Sequence, residues 1–488
     1  MEVKYREFKL IVTDMETIWV QISHNQDSFW GKIKQDPLVT LTNDVLNQMM
    51  IEKRLTRKSE FVVLGSHLYR TLFDGEIDRK FIGEYDEVAK TPGAVLRLVL
   101  EFDSNASKLA EWPWEYLYYP DDPSRGGRGG GFFIAAKGEL VLTRRVPLGA
   151  IELKPLCSPL RILFVVGAQP KDCGEIEPEP VIQAAKELEG ENPGLVEIGE
   201  PLIEPTKNEL TSRVKTWKPH VVHYIGHGKY EEKEKKGYLS WKNEEKPDNP
   251  WIDEDTWAGC FEDKKSRPRL VFIQACDSAR SEEYRGFKGV AYKLIYLEQS
   301  RIPAVIAMQH PIAQAVGIRF AKTFYRLLVE GKPIGEAVQE ARYDVAKNLP
   351  GDLEDFSIRG FGGPVLFLQA EGPTIEQMVE PGEAHRGVKP PLQELIIDCP
   401  YSLHPDYRCA GKVRLSDKFC LTCRRPLVQC PVCGSLVAKE IGFCTCGFDL
   451  QKSEETKREK LRVDEFRKEL VSADRPKQVS EPIKSEGF

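Results

Sequence analysis

The chain has 488 residues, 41% of them hydrophobic and 30% charged, and carries a formal net charge of −6 at pH 7. That length exceeds one ordinary domain, and the composition is that of a globular protein with material for a large core. The mild negative balance excludes a global attraction to nucleic acid or acidic membrane. No run of about 18 apolar residues offers a membrane span, and the opening MEVKYREFKL has no apolar signal core, so a cytoplasmic protein with no membrane partner is expected.

Residues 1–150 read as an α/β lead-in. Apolar runs at 8–13 and 19–23 predict strands, and 40–55 predicts an amphipathic helix capped by Thr40 or Asn43. LRLVLEF, at 96–102, alternates as a strand does. In EWPWEYLYYP, at 111–120, the aromatics are expected to pack on the sheet while Pro113 starts a turn or helix. The loop GGRGGG, at 126–131, lacks the Lys-Ser/Thr pair of a phosphate-cradling loop. Residues 132–136 and 139–146 then predict a hairpin or paired strands.

A second block, 151–370, alternates strand and helix. RILFVV at 161–166 predicts a buried strand, followed by helices at 181–188 and 207–217 and a strand at 221–225. Residues 229–250 are charged and predict a surface excursion with a short strand near 238–241. Strands follow at LVFI (270–273), in IPAVIAMQHP and in the closing PVLFLQ, with helices near 289–299, 313–330 and 334–348. Such alternation implies an α/β fold with a mostly parallel sheet covered by helices on both faces. A Pro-, Gly- and charge-rich linker spans 371–394, a cysteine-rich module 395–450, and a charged helix with a disordered tail 451–488.

Two strand exits carry chemistry. VVHYIGHGKY breaks into Gly226-His227-Gly228, and RLVFIQACDSARS breaks after Ala275 into Cys276-Asp277-Ser278. Open α/β sheets place ligands at the carboxyl ends of their strands. A thiol at neutral pH is only slightly ionised, so a neighbouring imidazole raises its reactive fraction. His227 is therefore the candidate base and Cys276 the candidate nucleophile, 49 positions apart, close to the spacing known in caspases. The amides of Gly228 and Cys276 are candidate oxyanion donors. Asp277 selects a basic substrate side chain or meets a neighbouring loop. Gln309 and His310, at a third strand end, are candidates to line the cleft. His223, in mid-strand, reads as a core histidine.

In chain order, WPWEYLY, RILFVVGAQP, VVHYIGHG, RLVFIQACDSA, IPAVIAMQHPI, and FYRLLVEGKPIGEAVQEAR followed by PVLFLQ resemble a CHAT domain. This is a branch of the caspase-like cysteine peptidases that is also similar to separase. The resemblance covers roughly residues 64–369 and implies a caspase-like sheet with His227 and Cys276 as the dyad of a cysteine endopeptidase. It further implies a protein substrate and a role in bacterial defence or regulated cell death. The family more usually has a large aromatic where this chain has His310. A catalytically idle scaffold of the same fold is the alternative reading.

Of twelve cysteines, eight fall between Cys399 and Cys446. Clustered knuckles of this kind fit metal ligation in a reducing compartment rather than a disulfide scaffold. They form four groups, Cys399 with Cys409, Cys420 with Cys423, Cys430 with Cys433, and Cys444 with Cys446. Closely spaced sulfurs can share one tetrahedral Zn²⁺. The module resembles a double zinc ribbon holding two structural Zn²⁺ in sequence. Interleaved ligation and a role for His404 in the first site stay open. Over 395–450 seven Lys/Arg face five Asp/Glu, a balance that four-thiolate zinc sites turn negative. A regulatory protein partner is therefore expected over nucleic acid, and a nucleic-acid-sensing protease is the other alternative.

Overall fold

The computed structural model describes residues 5–34, 57–120, 131–146, 158–171, 175–231, 233–242, 249–275, 302–310, 312–348, 359–369, 396–399, 409–414 and 422–429, and isolated positions at 45, 49, 55, 173, 290–291, 293–295, 418, 420 and 436–439. It divides into two compact units near residue 390.

The first strands are β1 (Tyr5–Val12), β2 (Thr17–Ile22), β3 (Asp27–Lys32) and β4 (Val95–Phe102). Phe8, Leu10 and Val12 alternate into the core, as a half-buried strand requires. Strand β3 went unpredicted because DSFWGK mixes Asp, Ser and Gly among its aromatics. Two helices the sequence did not announce, Lys58–Leu72 and Glu76–Ala89, follow it. The helix expected at 40–55 lies almost wholly outside the described residues.

Short strands β5 (Tyr118–Tyr119) and β6 (Phe132–Phe133) pair with each other, and β7 (Leu140–Arg145) lies beside β4. The expected hairpin between 132–136 and 139–146 is thus replaced by two separate pairings. The aromatic stretch captures β6, while LVLTRR is buried enough for the middle of the main sheet.

The second block supplies β8 (Leu160–Val166), β9 (Val196–Ile198), β10 (Leu202–Ile203) and β11 (Val221–Gly226). The excursion after it is a three-stranded meander of β12 (Gly228–Glu231), β13 (Lys236–Ser240) and β14 (Trp251–Asp253). Then come β15 (Leu270–Ala275), β16 (Ala304–Met308) and β17 (Pro364–Leu368). All five residues of β16 and of β17 are buried, which explains their unbroken apolar sequences.

These strands form one 12-stranded sheet in the order β10-β8-β11-β15-β16-β17-β7-β4-β1-β2-β3, with β9 also on β8. From β10 to β16 neighbours run parallel; β17 turns antiparallel to β16 yet parallel to β7, and only β1-β2-β3 reverses again. The two sequence blocks therefore share a single mostly parallel sheet, joined where Phe367 and Leu368 pair with Arg144 and Arg145.

Helix Ile334–Asn348 packs on β7 and β17, helix Gln314–Val329 on its neighbours Ile334–Asn348 and Glu179–Glu191, and Glu76–Ala89 on β1 and β4. A buried charged cluster ties these layers together. Arg144 holds Glu115 in a two-pronged contact of 2.9 and 2.5 Å and also donates to the carbonyls of Ala110 and Trp112. Arg342 donates to the carbonyls of Leu142 on β7 and Pro364 on β17, bridging the join.

The second unit holds β18 (Ile396–Asp398) paired with β19 (Lys412–Arg414), and β20 (Leu427–Gln429) paired with β21 (Leu436–Ala438).

Candidate active site and metal centre

Strands β8, β11 and β15 are parallel neighbours, and each ends at the same edge of the sheet. The chain leaves β8 toward β9 and β10 on one side and returns to β11 on the other, so a change of winding direction falls at this edge. Gly226 is the register partner of Ala275. His227 and Cys276 are therefore each the next residue after a directly paired position on adjacent parallel strands. Cys276 and Asp277 themselves lie outside the described residues.

His227 is 1% exposed. Its backbone is held on both sides: its N–H donates to Ser240 Oγ at 3.1 Å, and its carbonyl accepts from Ser240 N at 2.8 Å and from the Tyr224 hydroxyl at 2.9 Å. Two glycines make room for this clamp. A Cβ on Gly167 or Gly226 would fall within 2.4 Å of the Tyr224 hydroxyl oxygen, nearer than real Cβ contacts come. The ring meets Gln169, just past the end of β8, with 3.2 Å between its Nε2 and the amide nitrogen Nε2 of Gln169. Gly228 opens β12 opposite Leu239, so the meander begins one residue after the histidine.

Beneath the edge lies His223. It is fully buried, stacks on Phe272 with ring centroids 4.1 Å apart, donates through Nε2 to Gln274 Oε1 at 3.0 Å, and accepts at Nδ1 from the Tyr325 hydroxyl at 2.8 Å. Both ring nitrogens are thus engaged, as expected of a core histidine, and Gln274 two residues before Cys276 is anchored by it. Burial pushes the pKa of His223 down to about 3, and that of His220 down to about 4, burial again being the main cause. The sign follows from linkage. Below about pH 6.5 the unfolded chain takes up a proton that the folded His223 refuses until about pH 3, so stability falls on acidification by about 1.4 kcal/mol per pH unit per such group. Chemical denaturation between pH 6 and 4 is expected to show this slope, reduced by about one proton in His223→Gln. An unchanged slope in that variant would contradict the assignment.

Gln309 and His310 follow β16 but face inward. Gln309 donates both amide protons internally, to Glu115 Oε2 at 3.0 Å and to the Gly362 carbonyl at 2.5 Å. That leaves its side chain no donor for an oxyanion. His310 is fully buried, with its Nε2 2.5 Å from the Tyr116 hydroxyl oxygen; that hydroxyl donates its one proton to the Arg359 carbonyl. Burial raises the Tyr116 phenol well above the usual range, keeping it a neutral donor. These two residues tie the WPWEYLY stretch to the end of β16, next to β15.

Sequence reasoning passed over Gln169, Tyr224, Ser240 and Tyr325. Gln169 carried a usable signal: it is a polar residue three positions beyond the carboxyl end of a buried strand, β8, that pairs with β11.

In the second unit, Cys399, Cys409, Cys420 and Cys423 place their sulfurs within 4.8 Å of one another. Cys399 Sγ is 3.9 Å from Cys423 Sγ, and Cys409 Sγ 3.7 Å from Cys420 Sγ. Zn–S bonds of about 2.3 Å in a tetrahedron require sulfur–sulfur edges of about 3.8 Å, which these match. Burial works against the Cys420 thiolate, but backbone N–H groups of Cys423 and Thr422 aimed at its sulfur hold its pKa down at about 7. The Gly411 N–H likewise donates to Cys409 Sγ at 3.3 Å, and a Cβ on Gly411 would collide with Thr422 at 2.4 Å. Val413 and Leu427 pack around the sulfurs. Four close cysteines that could hold a metal such as zinc thus come from the first two knuckles in sequence, and His404 lies outside the described residues. Cys430, Cys433, Cys444 and Cys446 lie outside the described residues.

No described helix is long and apolar enough to cross a membrane. The family model described as CHAT domain matches residues 62–356, more than half the chain. No curated protein matches. Among solved structures, a chain of the Saccharomyces cerevisiae separase–securin complex is similar at 9% identity with a TM-score of 0.38, over 75% of this chain and 30% of that one.

Proposed function

Because the chain belongs to the CHAT-domain family, we propose that it is a cysteine endopeptidase whose dyad is His227 and Cys276. The observation that carries this reading is the register Gly226↔Ala275, which brings the two chain exits side by side at one sheet edge. In the proposed reaction the Cys276 sulfur attacks a peptide carbonyl of a partner protein, and its proton passes to His227. The imidazolium then protonates the leaving amine, and water releases the acyl-enzyme. The amides of Gly228 and Cys276 would steady the oxyanion. The cysteine-rich module would hold structural zinc through Cys399, Cys409, Cys420 and Cys423, with a second ion on the later four cysteines, and would recruit a regulatory protein. The family's defence and regulated-death settings supply the proposed context.

The test maps new peptide termini in candidate partner proteins incubated with the full chain. Cleavage is expected to vanish in Cys276→Ala and in His227→Ala, with circular dichroism and melting unchanged. Cleavage that survives either substitution would overturn the dyad. No cleavage from any candidate partner would favour the idle scaffold.

A further inference from the structure

The backbone of His227 is pinned, but its two ring nitrogens are chemically distinct, and which one carries the proton is set by the partner of the other. The partner of Nε2 is the side-chain amide of Gln169. That amide has a defined sense, because its Oε1 accepts from the backbone N–H of Ile176 at 3.3 Å, and a peptide N–H can only donate. The NH₂ end of Gln169 therefore faces the imidazole and donates, so Nε2 must be the acceptor.

Resting on the dyad reading, we propose that Gln169 is a positioning residue that holds His227 as the Nδ1–H tautomer with its Nε2 lone pair capped. Since Nδ1 already bears a proton, any proton the ring gains is added at Nε2. An imidazolium would then set an N–H against the donating NH₂ of Gln169. It is accommodated when the amide turns to present Oε1, and turning it gives up the bond to Ile176. The loop after β8 is thereby coupled to the protonation of the base. Gln169 is solvent-exposed while His227 is buried, so replacing Gln169 empties no core.

The experiment uses the full chain with ring-¹⁵N histidine, His227 being assigned by the signals lost in His227→Gln. The native chain is expected to show a protonated Nδ1 and an unprotonated Nε2. Gln169→Glu, whose carboxylate can only accept, is expected to move the proton to Nε2. Gln169→Leu is expected to shift the tautomer ratio toward Nε2–H by roughly fivefold, the worth of one ordinary hydrogen bond. A native Nε2–H ring, or a ratio unmoved in both variants, would overturn the proposal. This readout needs no substrate, so failure of the peptidase reading leaves it standing or falling alone. Where cleavage is measured, Gln169→Glu is expected to move the pH profile of kcat with KM held, a change that a merely structural role would not produce.

Discussion

Glu115→Ala is expected to destabilise the large unit by about 3–5 kcal/mol, a large part of the 5–15 kcal/mol typical of a folded domain. Glu115 is completely buried and is shared by Arg144, by the Gln309 amide and, at 3.9 Å, by Arg342. Removing it strands two buried guanidiniums beside one another, which is the costly way to break such a cluster. Burial pushes the carboxyl's pKa up, but Arg144 and then Arg342 outweigh it, and the net direction is down. Stability from this group is therefore present above the ordinary carboxylate range and is lost only as pH falls through the lower folded value. Burial also lowers Arg342, to about 10, which leaves it charged at neutral pH. Urea titration of Glu115→Ala and Glu115→Gln at pH 7 checks the prediction. A loss below about 1 kcal/mol in the alanine variant would show that the charges are not organised around Glu115.

Chelation is expected to have the larger effect, confined to the small unit. Four-sulfur zinc sites in small modules contribute apparent free energies of about 10–16 kcal/mol at pH 7, and such modules unfold without the ion. Among the described residues of 396–439, the sulfurs are surrounded by short strand pairs and a few buried apolar side chains. Excess chelator is expected to abolish amide protection there while leaving the sheet of the large unit protected. Cys423→Ser is expected to lower bound zinc by one equivalent. Retained protection after complete metal removal would overturn the structural role.

The sequence announced what burial and strand chemistry make local. The apolar runs of β8, β11, β15, β16 and β17 were legible because strands covered on both faces must be apolar throughout. The edge of the sheet was legible too, through the glycines flanking His227. Pairing partners were not: nothing within residues 132–146 says that Phe132 prefers Tyr119 or that Leu140 prefers Leu96. Polar side chains were harder still. Gln309 and Gln169 are chemically alike at two strand ends, yet one is locked between Glu115 and Gly362 and the other meets the imidazole. Only three-dimensional proximity separates them. The first four cysteines could be grouped by spacing, but their sequential ligand set became clear only from the distances between their sulfurs.

The place of β17 has a consequence for biosynthesis. The last described strand of the large unit in sequence lies in the interior of the sheet, between β16 and β7. A nascent chain can thread β8, β11, β15 and β16 together early, but its two halves have no shared border until Pro364–Leu368 emerges from the ribosome. Contacts of such long sequence separation close late and slowly. Until then the open flanks of β16 and β7 are unpaired apolar edges, the kind of surface that chaperones protect. A chain cut short before residue 364 is therefore left with two half-sheets that share no border.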